Sequence, residues 1–106
     1  MNIQFKKGVL ELCVLSLLEK EDRYGYDIAA AFTDKMDIAG GTVYPILRRL
    51  NGEGYVSFYL SEASGGPPRK YYTLTNRGRQ FKDLLRREWI QFCAEVNHMI
   101  DYPGSA

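Results

Sequence analysis

The sequence predicts a mainly α-helical fold with one small β-hairpin, and three observations predict it. Apolar residues recur at helical spacing in three short segments at the start of the chain. Two segments rich in aromatic and β-branched residues follow, and a long amphipathic segment comes last. The 106 residues, 45% hydrophobic and 25% charged, suffice for one compact domain and leave no room for two.

The first three helices are predicted over residues 8–20, 26–35 and 42–52. The first is apolar on most faces, so we expect several neighbours to bury it, with Glu11 and Ser16 on its solvent side. The second is amphipathic, and its apolar positions are Ile28, Phe32 and Met36.

The third helix has an apolar face and a face rich in hydrogen-bond donors. Pro45 is tolerated in its first turn, because the missing N–H has no intrahelical partner there. Gly54 stands where helices commonly end on a glycine. The positions that we expect to face the core are Val43, Ile46, Leu47 and Leu50.

Two strands and a long helix complete the chain. The strands are predicted over residues 55–60 and 69–74, joined by the turn-rich segment 61–68. Thr75 is the predicted N-cap of a helix that continues to Ile100, about 37 Å at 1.5 Å per residue.

Three helices followed by a two-stranded ribbon is the order of elements in a winged helix-turn-helix. In that fold the third helix reads the major groove of DNA and the ribbon, or wing, lies along the backbone. We therefore predict a DNA-binding domain over residues 1–75, a dimerisation helix over 76–101 and a frayed tail over 102–106.

The charge is unevenly distributed along the chain. Residues 1–40 carry a net charge of −2 and residues 88–106 a net charge of −3, whereas residues 41–87 carry 9 basic and 3 acidic side chains. A positive block between two negative ones indicates a surface for a polyanion. The alternative is that these charges form only a solvated face.

Several classes of protein are disfavoured by the motifs that the sequence lacks. It has no nucleotide-binding glycine loop, nucleophile motif, metal-binding Cys/His cluster, signal peptide or long apolar run. We therefore predict a cytoplasmic protein that is not an enzyme, with no metal, no cofactor and no membrane association. Cys13 and Cys93 form no CxxC pair and are interpreted as small buried hydrophobic residues.

Three motifs resemble those of one family of bacterial transcriptional regulators, the PadR family, and the resemblance extends over about residues 6–100. The motifs are RYGYDIA, GTVYPILRRLNGEGYV and GGPPRKYYTLTNRG. The resemblance implies a homodimer that responds to a ligand, most often a repressor that binds a pseudo-palindromic operator in double-stranded DNA. Where many relatives have a serine or similar cap before the Gly-Thr of the third helix, this chain has Ala39 and Gly40.

The resemblance and the charge pattern select the same DNA-binding candidates. The resemblance implies contacts at Thr42, Tyr44, Pro45 and Arg48 of the third helix and at Gly66, Arg69 and Lys70 of the wing. The donor-rich face of the helix adds Arg49 as a candidate.

Several of these residues have a structural alternative. Arg48 is favoured as the residue that faces the groove, because Arg49 lies about 100° away on the helix and could pair with Glu53. Tyr44 could instead pack under the wing. Arg69 and Lys70 alternate along a strand, so at most one points at a phosphate beneath the wing.

Three further groups of aromatic or basic residues are expected to have structural roles only. Tyr71 and Tyr72 also alternate, and one of them is expected in the core. Tyr24 and Tyr26 are expected to pack. The basic residues at the start of the long helix are interpreted as its solvated face: Arg77, Arg79, Lys82, Arg86 and Arg87.

The last helix carries an apolar seam that we expect a second copy of the chain to cover. We expect the seam to form the dimer interface, with the residues Phe81, Leu85, Trp89, Phe92, Val96, Met99 and Ile100. Trp89 is either an aromatic anchor in that interface or the wall of a site where a planar, aromatic or phenolic effector stacks, with Glu88 and Phe92 beside it. The competing function is a winged-helix module that binds a protein without binding DNA.

Overall fold

The computed structural model describes the backbone of residues 3–62 and 65–103 and the side chains of residues 8–62 and 65–103. The predicted tail therefore lies partly outside the described residues, as do two residues of the wing tip, Ala63 and Ser64. The described part contains helices α1 (Ile3–Lys20), α2 (Gly25–Met36), α3 (Val43–Gly52) and α4 (Asn76–Met99) and strands β1 (Arg23–Tyr24), β2 (Val56–Ser61) and β3 (Arg69–Leu74).

The prediction of a mainly helical fold with a small antiparallel β-structure is confirmed, with one addition to the sheet. β2 and β3 pair from Val56↔Leu74 to Ser61↔Arg69, as the hairpin requires. The short connection between the first two predicted helices contains β1, which pairs antiparallel with β3 at Tyr24↔Tyr71. The sheet therefore has three strands in the order β1-β3-β2.

α1 is the central helix of the core, as its apolar composition predicts. The inward face of α3 is also as predicted, since all four of its expected core positions are buried. The buried hydrophobic residues are Leu10, Val14, Leu15, Leu18, Ile28, Ala29, Phe32, Val43, Ile46, Leu47, Leu50, Val56 and Tyr72. Tyr72 is thus the member of the Tyr71–Tyr72 pair that enters the core.

Two charged residues that we expected in solvent are buried, so these predictions are wrong. Glu11 is 3% exposed, and its carboxylate lies 3.3 Å from the guanidinium of Arg49. Lys82 is also 3% exposed, and its ammonium pairs with the carboxylates of Glu19 and Asp83. The pairs Glu11–Arg49 and Glu19–Lys82 join helices that are distant in sequence, which a helical wheel of one segment cannot show.

The cysteines also differ from their interpretation, because both Cys13 and Cys93 are half-buried thiols. Burial raises the pKa of the Cys13 thiol.

No helix in the described ranges is long and apolar enough to span a membrane.

A tight junction sets the position of α4 relative to the wing. α3 ends in a Schellman motif, with Gly54 at φ 80° and the N–H of Tyr55 donating to the carbonyl of Leu50. Thr75 caps α4 as predicted, because its hydroxyl accepts from the N–H of Gly78 at 2.9 Å. The same hydroxyl donates to the carbonyl of Gly54 at 2.7 Å, so the end of α3 and the start of α4 are tied together.

Candidate nucleic-acid interface

A turn of 3-10 helix, residues 40–42, takes the place of a side-chain cap at the start of α3. The N–H of Thr42 donates to the carbonyl of Ala39, and that of Val43 donates to the carbonyl of Gly40. Gly40 is packed closely on α2, where an added Cβ would lie 3.3 Å from the Cβ of Ala29. Glycine at this position therefore permits the close approach between α2 and the turn that introduces α3.

The outward face of α3 presents the expected candidates. Thr42, Tyr44, Pro45 and Arg48 are all exposed. Tyr44 is held in place beside α2, because its ring lies 3.6 Å from where a Cβ on Gly25 would stand. Tyr44 is 39% exposed, so its ring packs beside the start of α2 and is also open to solvent.

A concave surface forms between α3 and the sheet, and it brings together the candidates from the two elements. Its volume is about 320 Å³, and Tyr44, Arg48 and Lys70 lie around it. The remaining lining residues are Tyr24, Gly25, Tyr26 and Tyr72. We call this surface the α3–wing cleft.

The electrostatics of the α3–wing cleft favour an anion. Burial raises the pKa of the Tyr72 phenol, and the guanidinium of Arg48 acts on that pKa in the opposite direction. The ammonium of Lys70 lies over the ring of Phe58, 4.1 Å from its centroid. Two cationic groups therefore converge from α3 and β3 on one cleft with aromatic walls.

Arg69 and Lys70 point to opposite faces of the sheet, as strand alternation predicts. The guanidinium of Arg69 lies 5.0 Å from the centroid of the Tyr24 ring. It therefore lies on the outer face of the sheet, where the rings of Tyr59 and Tyr71 stack 5.9 Å apart. Gly66 is exposed at the described edge of the wing tip.

Two interpretations from the sequence need correction here. Arg49 pairs with Glu11 of α1 and not with Glu53, so its guanidinium is directed back toward the core. Tyr26, which we expected to pack, is 63% exposed and lines the α3–wing cleft together with Tyr24. In the sequence, the RYGY motif alone draws attention to these two tyrosines. The spacing of that motif does not show whether their side chains pack or are exposed.

The last helix divides into a packed half and an exposed half. The ring of Phe81 stacks on that of Tyr55, with centroids 4.1 Å apart, and Leu85 packs against the core of its own chain. The exposed large side chains are Leu84, Trp89, Ile90, Phe92, Val96 and Met99. The two residues at the start of the expected interface are therefore covered within the chain, whereas the later ones are not.

The three effector-site candidates lie together at an open groove between α1 and α4. Its volume is about 410 Å³, and Glu88, Trp89 and Phe92 line it from α4. Gly8, Val9 and Leu12 line it from α1, and Leu85 completes the wall. The α1 residues were missed because their sequence pattern predicts only burial.

Three of the five basic residues at the start of α4 contact other parts of the chain. The guanidinium of Arg77 stacks on the ring of Tyr55 and donates to the carbonyl of Glu53 at 2.9 Å. Arg79 and Lys82 both contact Glu19 of α1, so these side chains hold α4 against the domain. Arg77, Arg79, Arg86 and Arg87 are exposed as expected, so Lys82 alone of these five residues departs from the predicted solvated face.

Comparison with known proteins identifies the family that has this architecture. Residues 14–83 match the model of the PadR-like family of transcriptional regulators. The chain belongs to this family. PadR-like proteins are transcriptional regulators and not enzymes, which confirms the corresponding prediction.

Individual PadR relatives show how far the similarity extends. A PadR-like transcriptional regulator of Bacillus cereus is 31% identical, with a TM-score of 0.82 over 92% of this chain and 96% of its own. The negative transcriptional regulator PadR of Bacillus subtilis is 33% identical over 68% of this chain and 42% of its own. The crystal structure of that PadR in complex with operator DNA gives a TM-score of 0.63 at 33% identity, over 73% of this chain and 47% of its own. The chain thus spans less than half the length of the B. subtilis protein.

Proposed function

We propose that this PadR-family regulator is a cytoplasmic homodimer that binds a pseudo-palindromic operator and represses transcription until a planar aromatic or phenolic compound releases it. The observation that carries the proposal is the α3–wing cleft, where Tyr44, Arg48 and Lys70 converge. The similarity to a PadR that was crystallised with operator DNA supports the same function.

Each DNA-binding candidate has a role that its position suits. Arg48 projects from the exposed face of α3 and has the donor geometry for a guanine edge in the major groove. Lys70, in the cleft, provides a point charge for a phosphate. Further backbone contacts are assigned to the start of α3 and to the wing, at Thr42, Tyr44, Pro45, Gly66 and Arg69. Arg49 is assigned a structural role, because it pairs with buried Glu11.

The exposed half of α4 supports the proposed dimer. Leaving a large apolar side chain in water costs roughly 1.5–3 kcal/mol relative to full burial. The proposed interface has Trp89, Phe92, Val96, Met99 and Ile100 at the contact, with Phe81 and Leu85 packed behind them. A two-fold axis that relates residues 76–101 of the two subunits would give each subunit one DNA-binding domain, within residues 1–75, on the same side of the dimer. The two domains would then face the two half-sites of the operator.

The α1–α4 groove is the proposed effector site. Trp89 and Phe92 offer aromatic surfaces for stacking, and the carboxylate of Glu88 would favour a cationic compound. A ligand at this position would prefer one spacing of the two DNA-binding domains and so shift the population away from the form that binds the operator.

DNA binding is tested by fluorescence anisotropy with a labelled duplex from the region upstream of the protein's own gene. We expect saturable binding that weakens between about 50 and 200 mM salt, because Lys and Arg contacts release counterions from phosphates. Arg48→Ala should lose roughly 1–3 kcal/mol of operator binding and accept other sequences more readily. Arg86→Ala, which removes an exposed arginine from α4, is the matched control.

Two outcomes would reject the DNA-binding proposal. The absence of saturable binding at low salt would favour a winged-helix module that binds a protein, and so would binding that is insensitive to salt. Equal losses for Arg48→Ala and Arg86→Ala would mean that α3 makes no specific contact.

The effector site is tested through the intrinsic fluorescence of Trp89, the single tryptophan of the chain. Planar aromatic compounds, cationic and phenolic, should quench this fluorescence in a saturable manner and lower operator affinity. For cationic compounds, Glu88→Gln should weaken the quenching while leaving DNA binding without a compound unchanged. Fluorescence that no member of a varied panel alters would restrict Trp89 to a packing role.

A further inference from the structure

The outer face of the sheet carries a row of tyrosine rings that crosses all three strands. Tyr24 of β1 stands opposite Tyr71 of β3, and Tyr71 stands opposite Tyr59 of β2. The neighbouring ring centroids are 6.0 and 5.9 Å apart, which is within the range of favourable aromatic pairs. Tyr26, at the start of α2, extends the row, because its ring lies 6.1 Å from that of Tyr24. We call these four residues the tyrosine row.

A hydrogen bond between the two edges of the sheet fixes one end of the row. The hydroxyl of Tyr59 donates to the carboxylate of Asp22 at 2.8 Å. Since β2 and β1 do not pair with each other, this bond spans β3 and joins β2 to the connection between α1 and α2. The wing is therefore tied to the body of the domain on its outer face, in addition to its contacts in the core.

The row also holds a cation. The guanidinium of Arg69 lies over the ring of Tyr24, 5.0 Å from its centroid. A guanidinium held over an aromatic face keeps N–H donors that are directed away from the ring and can bind an anion. Arg69 forms no ion pair with the carboxylates of the described residues, so no acidic side chain among them occupies these donors.

The position of Arg69 places its guanidinium at the border of the surface assigned to DNA. Arg69 pairs with Ser61 in the last residue pair of the hairpin before the wing tip. Tyr24, which lies beneath the guanidinium, also lines the α3–wing cleft beside Arg48 and Lys70. Tyr24 therefore connects the cation on the outer face to the two cations of the cleft.

We propose that the tyrosine row positions Arg69, so that its guanidinium is already in place for a phosphate of the operator before DNA binds. Tyr24 acts by direct contact, whereas Tyr71, Tyr59 and Asp22 keep β1 and the Tyr24 ring aligned with the wing. This inference rests on the proposed DNA binding and specifies which residues prepare the wing for it. The alternative is that the row only stabilises the sheet through cross-strand pairs.

A double-mutant cycle on operator affinity separates the two roles. Tyr24→Leu, which removes the ring, should weaken operator binding roughly three- to tenfold, because the Arg69 side chain must then be ordered on binding. In an Arg69→Ala background the same change should have no further effect. Tyr24→Phe, which keeps an aromatic face, should recover most of the affinity. Tyr59→Phe, which removes only a hydroxyl, should cause a smaller loss that also disappears in the Arg69→Ala background.

A second cation–π pair in the chain provides the matched control. The guanidinium of Arg77 lies 4.9 Å from the centroid of the Tyr55 ring, at the junction between the wing and α4. Arg77→Ala should leave the operator affinity and its salt slope close to those of wild type, whereas Arg69→Ala should lower the affinity and reduce the slope by about one. Equal losses for the two arginine variants would overturn the proposal, and so would a loss in Tyr24→Leu that is the same with and without Arg69.

NMR of the protein without DNA measures the contact itself, with urea denaturation to verify that each variant is folded. The ring current of Tyr24 should shift the side-chain proton signals of Arg69 upfield. Tyr24→Leu should remove that shift and Tyr24→Phe should keep it. Unshifted Arg69 signals in a wild type that binds the operator would overturn the positioning role and leave DNA binding standing. Shifted signals in a wild type that binds no operator would reject the proposed DNA binding, and with it the purpose assigned to the row.

Discussion

Gly78 is the residue on which the junction between the wing and α4 depends. A Cβ at this position would overlap the carbonyl oxygen of Tyr55 and lie 2.8 Å from a methyl group of Leu74. Both neighbours are fixed, because Tyr55 O accepts from Thr75 N and Leu74 is paired in the sheet. The close approach of α4 to the start of β2 therefore requires glycine.

We expect Gly78→Ala to lower the free energy of unfolding by about 3 kcal/mol or more, because the backbone must move to relieve the overlap. Gly52→Ala is the matched control, since a Cβ on this helical glycine meets no atom within 4 Å. That change should be neutral or stabilise by up to about 1 kcal/mol through the helix propensity of alanine. Urea denaturation of both variants measures the difference, and equal effects would contradict the close contact at Gly78.

Lys82 makes the stability of the α1–α4 contact depend on pH. Its hydrogen bond to Asp83 lowers the pKa of that carboxyl, and hydrogen bonds to Asp83 and Glu19 raise the pKa of the Lys82 ammonium. The Asp83 contribution is therefore present above the ordinary carboxyl pKa of 3.8 and is lost as the pH falls through its lowered value. The Lys82 contribution is present below 10.5 and is lost as the pH rises through its raised value.

Replacing Lys82 by methionine keeps the buried stem and removes both contributions. We expect the difference in unfolding free energy between wild type and Lys82→Met to be constant around neutral pH and to shrink toward pH 3 and below. Chemical denaturation at several pH values measures it, with Arg86→Met as a control that removes an exposed cation from the same helix. A difference that does not change in acid would show that the Lys82–Asp83 pair contributes nothing to folding.

At the level of single residues, the sequence predicted the apolar core more accurately than the buried charges. The four inward positions of α3 and the cap at Thr75 follow from local spacing, and all are confirmed. Glu11 and Lys82 were assigned to solvent because charged side chains are rarely buried without a partner. Apart from the adjacent Asp83, their partners lie on other helices. Arg49 and Glu19 are 38 and 63 residues away along the chain, and no local pattern contains that information.

At the level of elements, the pair Glu11–Arg49 connects α1 to α3. Glu11 is buried, so removing Arg49 takes a charged partner from a carboxylate with little access to water. We expect Arg49→Ala to cost about 2 kcal/mol of stability. Its operator binding, measured in conditions where the variant is folded, should keep the salt dependence of wild type, whereas Lys70→Ala, which removes the proposed phosphate contact, should reduce the slope by about one.

The double variant Glu11→Leu, Arg49→Met provides the control for this assignment. An apolar pair of similar volume can replace a buried ion pair without loss. We therefore expect the double variant to be more stable than Arg49→Ala and to retain operator binding. A reduced salt slope in Arg49→Ala would instead return Arg49 to the DNA-contacting residues.

The elements themselves show which structural signals are local. The long helix and β3 are where the sequence places them, because amphipathic periodicity and aromatic composition are properties of each segment. β1 was missed since a two-residue strand has no period, and its pairing with Tyr71 and Tyr72 depends on residues almost 50 positions away. The α3–wing cleft needed that third strand, because Tyr24 and Gly25 form one of its walls.

At the level of the whole molecule, folding and association are expected to be coupled. The chain measures 53 × 28 × 24 Å, and the exposed half of α4 carries a series of uncovered large apolar side chains along the described surface. If two chains bury this half together, the folded dimer is in equilibrium with two unfolded chains, and mass action makes its stability depend on concentration. A tenfold increase in protein concentration should then add about 1.4 kcal/mol per dimer and raise the melting temperature.

Calorimetry over a hundredfold range of concentration tests this, with Met99→Glu as the variant expected to lose the dependence, because Met99 touches little within its own chain. A wild-type melting temperature that does not change with concentration would mean that the apolar end of α4 is not covered by a second copy.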